Sequence, residues 1–196
     1  MTTIRLCVVG DELVSGLGDA RGLGWLGRVL ARTQLPADFQ VFPLAVPDET
    51  TTALNERWER ECGLRFKPDT DNRLIIQIGK ADLVAGVSAA RTRLNLANIL
   101  DVAMQHGIKP LVIGPPPLRS FDMRQLQAIS QAAFEVCERR DVPFVDTFKP
   151  LAKHDQWHDD LSVSVTQMPS QAGYGLLAWI VLHRGWYSWI GLEPKH

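Results

Sequence analysis

The sequence predicts a three-layer α/β/α sandwich of the flavodoxin-like kind, with a five-stranded parallel sheet at its centre. Three observations predict it. Short apolar runs alternate with longer amphipathic stretches along the whole chain. The runs are hydrophobic with little alternation, as strands covered on both faces require. The first run also ends in a glycine turn, Gly10-Asp11. That is how a parallel strand delivers side chains to the C-terminal edge of a sheet.

The expected strands are residues 4–9, 39–44, 74–78, 110–113 and 143–145. Residues 23–32 place Leu23, Leu26, Val29 and Leu30 on one helical face. Residues 51–62 are charged outside, with Leu54 and Trp58 inside. Residues 89–106 end at Gly107, a helix stop. Residues 121–140 are long and amphipathic, and 170–182 close the series. Right-handed crossovers and the strand order 2-1-3-4-5 put the first strand beside the topological switch point. Chemistry is then to be sought in the loops after Val9, Leu44, Ile78 and Ile113, and before Ser170.

The 196 residues fit one domain, 1–196, able to bury roughly 70% of its unfolded surface. Apolar residues make up 45% and charged residues 22%, a soluble globular balance. A net charge of −1 gives no electrostatic reason to expect nucleic acid or an anionic membrane as partner. Nothing at the N-terminus reads as an export signal, and no stretch approaches the ~18 apolar residues of a membrane span. Cys7, Cys62 and Cys137 are odd in number and widely spaced, which argues for buried thiols in a reducing cytoplasm. No cofactor is implied.

Four segments carry further meaning. They are Gly10-Asp11-Glu12-Leu13 with Gly16, Gly18 and Gly24-Trp25; Leu44-Ala45-Val46-Pro47-Asp48-Glu49-Thr50-Thr51; Gly79-Lys80-Ala81-Asp82; and Val165-Thr166-Gln167-Met168-Pro169-Ser170-Gln171-Ala172-Gly173-Tyr174. In this order they resemble the blocks of the SGNH (GDSL-type) hydrolase superfamily of esterases and lipases. The resemblance covers almost the whole chain and implies the fold derived above.

The resemblance also implies where the family's chemistry would lie. The serine nucleophile falls on Glu12. The glycine whose N–H serves the oxyanion falls on Asp48, and the oxyanion asparagine on Ala81. The histidine base falls on Met168 and its aspartate on Val165. The frame of Gly10, Asp11, Gly79, Asp82, Pro169 and Ala172-Gly173-Tyr174 is kept while all five chemical positions differ. Loss of nucleophile or base costs a comparable serine hydrolase on the order of 10⁶ in rate. Each oxyanion donor is worth roughly 10²–10³ more. Glu12 further places negative charge where an acyl transfer must develop it.

Substitutes are few. Ser15 and Thr50 to Thr52 read as helix entry or capping residues. His158 lies in a polar stretch read as a loop and would have to swing into the cleft. His154 and His158 beside three aspartates resemble a metal site in spacing, without a third ordered ligand, so no metal is expected. If Glu12 and Asp48 share the cleft they form a binding or acid–base pair, with Lys80 close enough to neutralise one of them. The plainer expectation is that Glu12 caps its helix and Asp48 is solvated.

Asp11, Glu12, Asp48, Lys80 and Asp82 are therefore the expected binding residues. Trp179, Trp186, Tyr187 and Trp189 are expected to close the core, with any exposed part offering a homo-oligomer patch. The reading that follows is a superfamily member with a degenerate active site, whose cleft serves a small molecule or partner. A rival is a working hydrolase that uses Glu12, Asp48 or His158, and a third reading is a scaffold without ligand.

Overall fold

A computed structural model describes residues 3–194. Five strands form one parallel sheet in the order β2-β1-β3-β4-β5. They are β1 (Ile4–Gly10), β2 (Gln40–Ala45), β3 (Asp71–Gln77), β4 (Lys109–Ile113) and β5 (Phe144–Val145). Both the order and the five positions match the sequence expectation.

The sheet divides the core because successive strand residues point to opposite faces. Leu6, Val8, Ile75, Leu111 and Ile113 enter one apolar cluster. Cys7, Val9, Leu74, Ile76 and Val112 enter the other. The first face is covered by α1 (Glu12–Ser15), α2 (Gly24–Ala31) and α9 (Gln171–Val181), and the second by α3 (Thr51–Gly63), α5 (Ala89–Gln105) and α6 (Met123–Glu138). Cys7, Cys62 and Cys137 are free and buried. No helix among the described residues is long and apolar enough to cross a membrane.

The long helices start where their caps stand. Thr50 accepts the Ala53 N–H at 3.2 Å, Ser88 the Arg91 N–H at 3.2 Å, and Asp122 the Arg124 N–H at 2.8 Å. These caps satisfy donors that the first helical turn leaves unpaired.

Four short helices were not expected: α4 (Ala81–Val84), α7 (Phe148–Leu151), α8 (Asp155–Ser162) and α10 (Tyr187–Ile190). The stretch read as a polar loop around His154 and His158 is largely α8. Its Trp157 is fully buried and donates Nε1–H to Pro117 O at 2.7 Å. One aromatic anchor thus turns a polar segment into a packed helix.

The C-terminal aromatics close the first face, as expected. The chain kinks at Gly185, where φ is 145°, before α10. Trp186 is buried and bonds Thr33 Oγ1 at 2.8 Å, and Trp189 bonds Pro110 O at 3.0 Å. Tyr187 donates to Arg32 O at 3.0 Å. Trp179 alone stays mostly exposed, stacked on His183 with ring centroids 4.3 Å apart.

Candidate functional site

The C-terminal ends of β1, β2 and β3 bring together Asp11, Glu12, Asp48 and Lys80. Asp11 is the N-cap of α1 and accepts the Leu13 N–H on Oδ1 at 3.0 Å. The cap expected of Glu12 is therefore made by Asp11, because Asp11 has the extended backbone a cap needs. Glu12 occupies the first helical position, and its carboxylate is free to reach across to β2.

It does so in two directions. Oε2 of Glu12 accepts the backbone N–H of Asp48 at 2.9 Å, and Oε1 takes the Lys80 ammonium at 2.5 Å. The same ammonium reaches Asp48 Oδ1 at 2.7 Å. Glu12 and Lys80 are nearly buried, with side-chain exposures of 6% and 12%, whereas Asp48 is 76% exposed. From solvent inward the order is Asp48, Lys80, Glu12. Burial works against the charge on Lys80, but the two carboxylates outweigh it and hold the ammonium above its ordinary value.

Asp48 sits at φ 54°, a left-handed conformation that costs a residue with a side chain. Asp11 lies deepest. Gly79 leaves the space for it: a Cβ there would overlap Asp11 Oδ2. Burial first, and the neighbouring Glu12 second, push the Asp11 carboxyl up to about 7. Arg57 pairs with Glu49 beside the site, and Nη2 of Arg57 also donates to Leu44 O at 2.7 Å.

The remaining expected residues do not join this group. Ala81 is buried at the start of α4 and offers no polar side-chain atom. Asp82, expected to bind a ligand, is spent internally. Its oxygens accept Thr51 N at 2.7 Å, Thr51 Oγ1 at 2.7 Å and Thr92 Oγ1 at 2.5 Å. Thr51 is thus part of this tie and not a substitute nucleophile. Val165 is 99% exposed and Met168 is 1% exposed, so that loop presents neither acid nor base. His158 is engaged elsewhere, its Nε2 2.9 Å from Ala152 O in the turn between α7 and α8. Ser15 Oγ donates back to Glu12 O at 3.0 Å. No group of three or more His, Cys, Asp or Glu among the described residues is placed to hold a metal ion.

Three features escaped the sequence. Asp160, 8% exposed, accepts Ser170 N–H at 2.7 Å and also the Ser170 hydroxyl, so it anchors the start of α9. Asp19 pairs with Arg28 and accepts Gly24 N–H at 2.9 Å, and the Arg28 contact holds its carboxyl down at about 2. Gln77 is buried at the end of β3. The i, i+10 and i, i+9 spacings of the first two pairs fit no helical or strand period, so no pattern signals them.

A groove of about 430 Å³ lies at the other edge of the sheet, lined by Trp58, Phe66, His106 and Ile108 among others.

The model of the GDSL-like Lipase/Acylhydrolase family matches residues 8–176. The chain belongs to this family. The match ends within α9, before the kink and the C-terminal aromatics. Solved structures agree in fold. A lipase/acylhydrolase from Enterococcus faecalis is similar at 22% identity with a TM-score of 0.74, covering 98% of this chain and 99% of its own. A psychrotrophic esterase, EstA, from Pseudoalteromonas sp. is similar at 15% identity and TM-score 0.71, covering 97% and 100%. An acetyl-xylooligosaccharide esterase mutant from Geobacillus stearothermophilus is similar at 19% identity and TM-score 0.75, covering 96% and 95%. No curated protein matches in sequence.

Proposed function

We propose that this GDSL-like protein does not carry out serine-esterase chemistry, and that its former catalytic centre is an anion seat filled by its own Glu12 carboxylate. The observation that supports this reading is the 2.9 Å bond from Asp48 N–H to Glu12 Oε2. If Asp48 takes the place of the family's oxyanion glycine, that N–H is the donor an ester's developing oxyanion would need. Glu12 already holds it, with Lys80 on the other oxygen. A carboxylate so placed resembles a bound product more than a nucleophile. The positions aligned with the base and its aspartate, Met168 and Val165, supply no proton acceptor. What faces solvent is the Asp48 carboxylate, which suits recognition of a ligand or partner better than turnover.

Incubation with a fluorophosphonate probe and turnover of a p-nitrophenyl acyl ester test the reading. No covalent adduct and no hydrolysis above buffer are expected. Glu12→Ser alone should restore neither, because base and side-chain oxyanion donor stay absent. A stoichiometric adduct on Ser15, Thr51 or any other residue of the wild-type protein would sink the proposal.

A further inference from the structure

The deep side of the seat holds two polar atoms without partners. Asp11 Oδ1 has the Leu13 N–H, but Oδ2 is buried with no donor. Gln77 gives its Nε2 hydrogens to Ile78 O at 3.0 Å and Gly114 O at 3.2 Å, and its Oε1 is buried with no donor. The two residues lie at the ends of paired strands. Gly10 pairs with Gln77 in the β1–β3 register, and a Cβ on Gly10 would come 3.1 Å from Gln77 Cβ. Just beyond β3, Asp11 Oδ2 fills the side-chain space of Gly79.

Two buried acceptors at this strand end stay unsatisfied, whereas one hydrogen shared between them would satisfy both. The charges around Asp11 favour that hydrogen. Glu12 on α1 and Glu49 ahead of α3 oppose its ionisation. Lys80 favours ionisation, but its ammonium is already shared by Glu12 and Asp48. Tyr174 on α9 faces the same region and gives its hydroxyl hydrogen to Leu17 O at 2.8 Å, so it does not supply Asp11.

We propose that Asp11 is a proton-storing acid: Oδ2 carries a hydrogen in the resting site and donates it to Gln77 Oε1, and its loss adds a third negative charge behind the Glu12–Lys80–Asp48 cluster. This concerns the charge of the seat and holds whether or not the seat turns over an ester. The proton moves from Asp11 to solvent, with no bond to carbon made or broken. The Asp11 carboxyl is pushed up from 3.8 to about 7, so the folded protein holds the proton more tightly than the unfolded chain. The resulting stabilisation is complete below the unfolded value. It declines as pH rises toward about 7 and is gone above it.

The test is ¹³C NMR of the side-chain carboxyl and amide carbons in the intact protein, followed from acid to mildly alkaline pH. The Asp11 carboxyl carbon should keep its protonated shift well above the ordinary aspartate range, and the Gln77 amide carbon should move on the same curve. Glu12→Gln should lower the midpoint, because it removes a like charge and frees Lys80. A parallel series of urea melts should show wild-type stability falling through this window, and Asp11→Asn should flatten that fall. An Asp11 carbon that ionises in the ordinary range would overturn the proposal, as would a Gln77 carbon that does not follow it. Both readouts come from the wild type, so a variant that fails to fold leaves the test intact.

Discussion

Asp48 is a residue at which the side chain and the backbone pull against each other. At φ 54° it adopts a conformation that glycine takes freely, and it is exposed apart from one ion pair to Lys80. A non-glycine residue there costs about 1 kcal/mol. The extra freedom glycine brings to the unfolded chain offsets part of the gain from relieving it. An exposed ion pair returns no more than about 1 kcal/mol. Asp48→Gly should therefore leave stability within about 0.5 kcal/mol of wild type, because the backbone N–H to Glu12 survives the change. Asp48→Ala keeps the strain and loses the pair, so it should cost about 1 kcal/mol in a urea melt. Equal losses in both variants would mean the ion pair, not the backbone, sets the energy. At this scale the cluster of Glu12, Asp48 and Lys80 was legible, because the three lie in the first three of the ordered blocks. The roles of Asp82, Asp160 and Gln77 were not. Asp82 and Asp160 are fixed by partners ten or more residues away and Gln77 by the carbonyls of Ile78 and Gly114, and no local period reports such contacts.

Elements are tied to one another behind the seat through Asp82. Its carboxylate gathers the first residue of α3 and Thr92 of α5, while Asn95 of α5 gives Nδ2–H to Thr51 Oγ1 at 3.1 Å and Thr52 Oγ1 at 2.9 Å. Asp82 itself lies in the first turn of α4, so three helices meet at one buried group. Asp82→Ala strands a buried backbone N–H and two hydroxyls, and should cost about 3 kcal/mol. Asp82→Asn keeps one acceptor oxygen and lets hydroxyls rotate to meet the amide, so it should cost about 1 kcal/mol. Urea melts of the two variants check the order, and an Asn variant as weak as Ala would show that the charge itself is needed. The long helices were legible because cap and apolar face agree, as Thr50 with Leu54 and Trp58 does in α3. The short helices were not. A helix of four residues has barely one turn, too little to show a 3.6-residue period, and α8 hangs on the burial of Trp157.

Across the whole molecule the sheet separates two apolar clusters and also joins them. Every central strand sends alternate side chains to each: Leu6 and Val8 one way, Cys7 and Val9 the other. The order 2-1-3-4-5 was legible for this reason. A strand hydrophobic at every position has to be covered on both faces, and the alternation of strand and helix leaves few ways to do it. The C-terminal closure was legible only as composition. Trp186 and Trp189 announce burial, but the kink at Gly185 that aims them at Thr33 and Pro110 has no sequence period. Loss of either cluster strips one face of β1, β3 and β4, so neither face should survive the other's unfolding. Native-state hydrogen exchange with rising urea tests this. Amides of α9 on one face and of α5 on the other should converge on a single opening free energy with the same denaturant slope, shared by the slowest amides of β1 and β3. An α9 that opens at lower free energy and with a smaller slope would show the two faces unfolding as separate units.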